Sequence, residues 1–297
     1  MRKLWFYVLS SLLLSFSLFP IVMTAIGSVM PETELRTEPP ENPWFARGAT
    51  LSYYNYIFTS SFGGKIPDDP YIRWALRSLV TTNVNFFLQI LANSVIVASA
   101  VAVLNVILGS IAAYSFARFR YRGSVASFTF VLVSRLLPPI AVALPYYIIL
   151  QSIGLLNTLS SVILVHTALT LPFSIWYLVL YFRSIPVDLE EAALTDGASL
   201  FRAMTKVALP IAWSGLLAAG LFAFVLSYNE FLFASFILGK IDVRTLPVFL
   251  AFLASSADIY WALMYGALTL TTIPAIVALG IVWRFLKISQ LAGALKK

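Results

Sequence analysis

The sequence predicts an all-α polytopic membrane protein with six transmembrane helices and both termini in the cytoplasm. Three observations carry this. Of 297 residues, 60% are hydrophobic and only 11% charged, with mean hydropathy +0.88. A soluble domain carries about 25% charged residues, so this chain lacks the polar surface that a water-soluble globule needs. Charge-poor stretches recur at lengths that suit a hydrocarbon core, which takes roughly 20 apolar residues per helix. Lys and Arg fall unevenly on the two alternating sets of connections. Soluble enzymes, disulfide scaffolds and disordered tails are excluded on composition. Zero cysteines exclude disulfides, thiolate metal sites and cysteine nucleophiles, and one histidine excludes a multi-His metal site. The net charge of +7 is read as basic cytoplasmic ends beside a lipid bilayer, not as a nucleic-acid surface.

The spans follow in order. Leu4–Met30 carries no charge. Arg2 and Lys3 precede it as in a secretory signal, but the apolar run exceeds the roughly 7–15 residues of such a signal and no A-x-A site follows. It is expected to be a retained helix. Ser78–Ala117 holds a second span with an interfacial lead-in. Leu136–Phe182 is uncharged and too long for one helix, so Gly154, Asn157 and Thr158 divide it. Val207–Gly239 holds one charge, Glu230, and Ile259–Trp283 holds none. The expected spans are about 4–30, 90–117, 124–150, 156–182, 211–238 and 261–285.

With both termini inside, the inner segments hold twelve basic residues and four acids, the outer ones seven and eight. That asymmetry is the positive-inside pattern. Three regions are expected: 1–88, a first helix and long outer loop; 89–285, a five-helix domain containing the inner loop 183–210; and 286–297, a cytoplasmic tail.

The inner loop 183–210 is the longest inner connection and is amphipathic. Pro186 suits a first helical turn, and Asp188 sets an anion near the positive end of the dipole. Glu190 to Leu194 favours helix. Gly197 can stop it in a left-handed conformation, and Ser199 can cap a second helix over Leu200–Val207. Pro210 then introduces the next span. The product is a compact helix–glycine–helix knob. Leu189, Ala192, Ala193, Leu200, Phe201 and Met204 supply it with apolar docking surface.

Glu191-Ala192-Ala193, three residues, Gly197, nine residues, then Val207-Ala-Leu209-Pro210 resembles the EAA loop of ABC importer permeases, EAA-x3-G-x9-I-x-LP, with Val207 in place of Ile and Asp196 before the glycine. Other stretches resemble the carbohydrate-uptake, MalG-like branch: Asn93-Ser94, Ala112-Ala-Tyr-Ser-Phe-Ala-Arg118, Leu137-Pro-Pro139, Leu144-Pro145, Leu171-Pro172 with Trp176, and Tyr228-Asn229-Glu230. The tail Leu291-Ala-Gly-Ala-Leu-Lys296 is similar to the family's ending but lacks its first glycine. The resemblance covers nearly the whole chain except 31–77 and implies a type I ABC importer transmembrane fold in the cell's plasma or inner membrane. It also implies partners: a second homologous permease, two ATP-binding cassette ATPases and an extracytoplasmic sugar-binding protein. Glu191, Ala192, Ala193, Asp196, Gly197, Leu209 and Pro210 would couple to the ATPase. ATP closure would rock the path between inward and outward access.

No cofactor and no catalytic residue is expected in this chain. It has no G-x4-G-K-[ST] loop, since Gly63-Gly64-Lys65 has Thr59 at the first glycine position and Ile66 after the lysine. Four residues are candidates for the substrate path. Arg135 and Glu230 are charges at membrane depth, which favour a cavity or a partner. By sign they are natural counter-ions, and a structural pair or snorkelling of Arg135 are the plainer readings. Asn229 can bond sugar hydroxyls and Tyr228 can stack on a sugar ring, or both can serve helix packing. His166 is read as an interhelical hydrogen-bonder rather than a proton relay, and the pair Pro138-Pro139 as the strongest helix breaker within a span. Polyamines or phosphate esters are alternative solutes. An ion-coupled secondary transporter is the alternative class, with no internal repeat to support it.

Overall fold

The computed structural model describes residues 2–36, 48–59, 85–255 and 259–294. Most of the outer loop 31–77, including Gly63-Gly64-Lys65, and the last three residues of the tail lie outside the described residues. Among these residues the fold is entirely helical. In chain order the helices are α1 (Arg2–Gly27), α2 (Glu32–Leu35), α3 (Ser52–Thr59), α4 (Phe87–Arg118), α5 (Ser124–Val133), α6 (Pro139–Ser152) and α7 (Leu159–Arg183). They continue with α8 (Asp188–Thr195), α9 (Leu200–Ala203), α10 (Trp213–Tyr228), α11 (Leu232–Ile237), α12 (Leu246–Ala254) and α13 (Trp261–Ala294). Between α9 and α10 lie a π turn, Met204–Ala208, and one helical turn, Leu209–Ile211.

Among the described residues four helices, α1, α4, α7 and α13, are long and apolar enough to cross a membrane, and two bent pairs bring the number to as many as six. The bends fall in the expected third and fifth spans, and the first lies at Pro138-Pro139, the strongest helix breaker in the sequence. Residues 124–150 form two segments at 98°. Pro138 lacks an N–H and disfavours helix at Leu137, which is extended, so the chain restarts with Pro139 in the first turn of α6. Residues 211–238 are not one rod either. The chain bends by 78° just before α10. It breaks again at Asn229–Phe231 and resumes as α11.

The chain divides into two compact units, Met1–Leu91 with Val248–Ile273, and Ala92–Pro247 with Pro274–Lys297. In the first, the buried Glu32 carboxylate accepts from the Trp261 and Ala262 backbone N–H groups at 3.1 and 2.7 Å and from Arg36 Nε at 2.6 Å. An acid at these otherwise unpaired N–H groups caps α13. Gly27 lies against the Tyr265 ring, where a Cβ would come within 2.9 Å. The apolar side chains of α1 are exposed along nearly its whole length, as suits hydrocarbon or a neighbouring helix.

The second unit packs one end of α4, α7 and α10 around Tyr114, Leu178, Val179, Phe182, Met204, Ala208, Ala212 and Leu216. Small residues permit the close approach. A Cβ on Gly215 would fall 2.5 Å from the Tyr181 ring. Asn105 is fully buried and hydrogen-bonded through both its amide nitrogen and its amide oxygen. It donates to Thr170 Oγ1 at 2.8 Å and Val101 O at 2.9 Å, and it accepts from Ser174 Oγ at 2.9 Å. Thr158 caps α7 by accepting from Ser161 N. Asn157, at φ 60°, accepts from the Gly239 and Lys240 N–H groups at 2.6 and 3.1 Å, holding the α6–α7 turn to the end of α11.

Candidate coupling loop and intramembrane cavity

The loop 183–210 folds as its local chemistry requires. Three acids, Asp188, Glu190 and Glu191, occupy the first turn of α8, where the helix dipole favours them. At the other end Gly197 takes φ +88°, Ala198 N donates to Ala193 O at 2.9 Å and Gly197 N to Leu194 O at 3.0 Å. That pair of bonds is a Schellman closure, which needs a left-handed residue at this position. Ser199 accepts from Arg202 N and starts α9. Glu191, Ala192 and Asp196 are exposed, Ala193 and Leu209 half-buried, and Pro210 exposed.

The apolar surface of the knob differs from expectation at one residue. Leu189, Leu200 and Phe201 are exposed, Phe201 by 71%. Met204 instead lies in the core with Phe182 and Ala208, because the π turn swings it inward. The knob is anchored by a residue outside the EAA spacing. Glu190 is buried, and its Oε2 accepts from Tyr114 Oη at 2.6 Å. Its Oε1 accepts from Arg118 Nε and a terminal guanidinium nitrogen at 2.9 and 2.7 Å. The same nitrogen of Arg118 reaches Ile185 O at 3.2 Å. Tyr114 and Arg118 are four residues apart, hence on one face of α4. That spacing is visible in the Ala112–Arg118 stretch, but its partner 72 to 76 residues away is not.

The second site is a cavity of about 370 Å³ lined by Arg135, Pro139, His166, Thr170, Ser227, Asn229, Glu230 and neighbouring apolar residues. Arg135 stands on the 3-10 turn at the α5–α6 break. His166 Nδ1 lies 2.8 Å from Ser227 Oγ, and its Nε2 lies 2.9 Å from Glu230 Oε2. The Glu230 carboxylate also accepts from Phe233 N at 2.9 Å and Ala234 N at 3.1 Å, so it caps α11. Arg135 and Glu230 share the cavity but form no ion pair among the described residues; histidine replaces arginine as the partner of the acid. Asn229 is exposed on the wall and donates to Val225 O at 2.8 Å. Tyr228 is absent from this wall. It is 6% exposed, and its ring stacks parallel on Phe224 at 5.7 Å. The described residues hold no group of three metal-ligating side chains.

Comparison with known proteins places this geometry. Residues 105–289 match the family described as binding-protein-dependent transport system inner membrane component. The chain is 33% identical over 207 residues, 69% of its length, to the trehalose/maltose transport system permease protein MalG of Thermococcus litoralis, covering 74% of that protein. It is 29% identical over 290 residues to the sulfoquinovosyl glycerol transport system permease protein SmoH of Agrobacterium fabrum, covering 98% of this chain and 93% of that one. The fold matches a chain of a bacterial ABC transporter involved in the import of the acidic polysaccharide alginate, with TM-score 0.72, 19% identity and 96% coverage of both chains. The chain belongs to the binding-protein-dependent transport system inner membrane components: it is a multi-pass permease of an ABC importer.

Proposed function

We propose that this permease forms half of the translocation path for a mono- or oligosaccharide, delivered to its outer face by an extracytoplasmic binding protein. The names of its relatives support a sugar, being permeases for trehalose/maltose and sulfoquinovosyl glycerol. A second, homologous permease supplies the other half, and two ATPase subunits drive the cycle. The loop 183–210 faces the cytoplasm and receives one ATPase. Its exposed Leu189, Leu200 and Phe201 form the apolar contact, and Glu191 and Asp196 its charged rim. Closure of the ATPase pair moves the knob, and alternating access follows as rigid-body rocking. The cavity beside α11 is the part of the path on this chain, with Arg135 and Asn229 facing the solute.

The observation that carries this reading is the rigidly closed knob with Phe201 projecting from it. Gly197→Leu forces a branched side chain into φ +88°, although nothing lies within 4 Å of its Cβ position, so it distorts the turn without a clash. ATP-driven uptake in proteoliposomes is expected to fail in this variant, and in Glu191→Lys. Normal uptake with a normally bound ATPase would remove the loop from this role. Calorimetry on the cognate binding protein names the sugar.

A further inference from the structure

We propose that α4 is the transmission element of the permease, carrying displacement of the knob through the membrane to the cavity and to the segment 242–246. The inference rests on the reading of loop 183–210 as the ATPase dock. Within the second unit α4 is pinned by directional polar bonds at three levels. At one end Tyr114 and Arg118 hold Glu190 of the knob with three hydrogen bonds. Both side chains of the ion pair are under a tenth exposed. The planar guanidinium fixes orientation as well as distance.

Midway, Asn105 is locked to Thr170 and Ser174 of α7. Thr170 Oγ1 in turn donates at 2.7 Å to the backbone carbonyl of His166, the residue whose side chain holds Glu230 on the cavity wall. At the far end Asn93 Nδ2 donates to the Asp242 and Arg244 carbonyls at 2.8 and 3.2 Å, and Ser94 Oγ accepts from Leu246 N at 2.6 Å.

From Asn93 to Arg118 the helix is about 38 Å long, more than the ~30 Å hydrocarbon core. It has no internal proline, whereas α6, α7 and α13 contain Pro145, Pro172 and Pro274. A helix without a proline kink carries displacement along its length. Apolar contacts let helices slide, but a buried charged bond must move with its partner or break at high cost. A shift of the knob therefore carries α4 through the charged Arg118–Glu190 pair, and α4 pulls on the cavity wall and the 242–246 segment through its neutral hydrogen bonds.

The test uses the whole complex in proteoliposomes, with its partner permease, ATPases and binding protein. ATP hydrolysis is measured with and without the loaded binding protein, alongside uptake. Glu190→Gln and Asn93→Ala, at opposite ends of the rod, are each expected to leave assembly and basal hydrolysis in place. Each should cut the stimulation by the binding protein about tenfold. The swapped pair Arg118→Glu with Glu190→Arg recovers part of it, and Tyr114→Phe loses less than Glu190→Gln. A merely structural role predicts the reverse pattern, with complex yield and basal rate falling together and the stimulation ratio unchanged; that result overturns the proposal. It is also overturned if Asn93→Ala stays fully stimulated while Glu190→Gln does not, since the lock is then local to the knob. Gly197→Leu separates the levels. If it uncouples while both end variants stay stimulated, the rod is wrong and the dock stands; if it also stays coupled, the dock itself is wrong.

Discussion

Glu190 and Glu230 are both shielded carboxylates that accept three hydrogen bonds, yet they are built differently. All three donors to Glu190 belong to two side chains of α4, a separate element, and two of them are nitrogens of one guanidinium cation. Two of the three donors to Glu230 are backbone N–H groups three and four residues ahead of it, and only His166 comes from elsewhere. The first arrangement ties two moving parts together. The second closes a local helix start and leaves one side-chain tether to α7. In the cavity, then, the acid is engaged with the fold, while Arg135 and Asn229 are the exposed polar groups.

That contrast can be broken at several strengths. Arg118→Ala leaves Glu190 buried without its cation and is expected to destabilise the purified permease by about 3–5 kcal/mol, read as a lowered unfolding midpoint in detergent. Glu230→Gln keeps the shape but removes a charged acceptor. It should lose about 1.5–3 kcal/mol by the same measurement, with uptake affinity changing less than in Arg135→Ala. If Glu230→Gln destabilises more than Arg118→Ala, the ranking of a cross-element lock over a local cap is wrong. Gly197→Ala adds only the left-handed penalty, about 1–2 kcal/mol, since no atom opposes the new Cβ. Phe201→Ala, at a position 71% exposed, should change stability by less than about 0.5 kcal/mol while weakening ATPase copurification. A large stability loss there would mean that Phe201 packs within the permease.

Much of the knob was legible because its signals are local. Gly197 and Ser199 each act on the backbone within a few residues and lie where helix-end chemistry places them, whereas Pro186 stands ahead of the N-cap Val187 and not in the first turn of α8. The Pro138-Pro139 break was legible for the same reason, though its 98° angle was not. Partnerships across 60 to 80 residues were not legible. Glu191 stood in the family spacing and drew attention, while its neighbour Glu190 makes the buried bonds. His166 was placed as an interhelical hydrogen-bonder without a partner, and Arg135 took by sign the partner that His166 holds. Which face of its helix Tyr228 presents was not legible either, for a further reason. A membrane helix is apolar on every side, so periodicity does not tell the cavity face from the packed face.

The chain contains no cysteine, so one introduced thiol reports a single position. Phe201→Cys in the assembled complex, treated with a short thiol cross-linker, is predicted to join the permease to the ATPase subunit, with a yield that changes when ATP is bound. A complex that assembles and transports normally, yet gives no cross-link between Phe201→Cys and an ATPase thiol engineered across its permease-facing surface, would contradict the assignment of loop 183–210 as the coupling site.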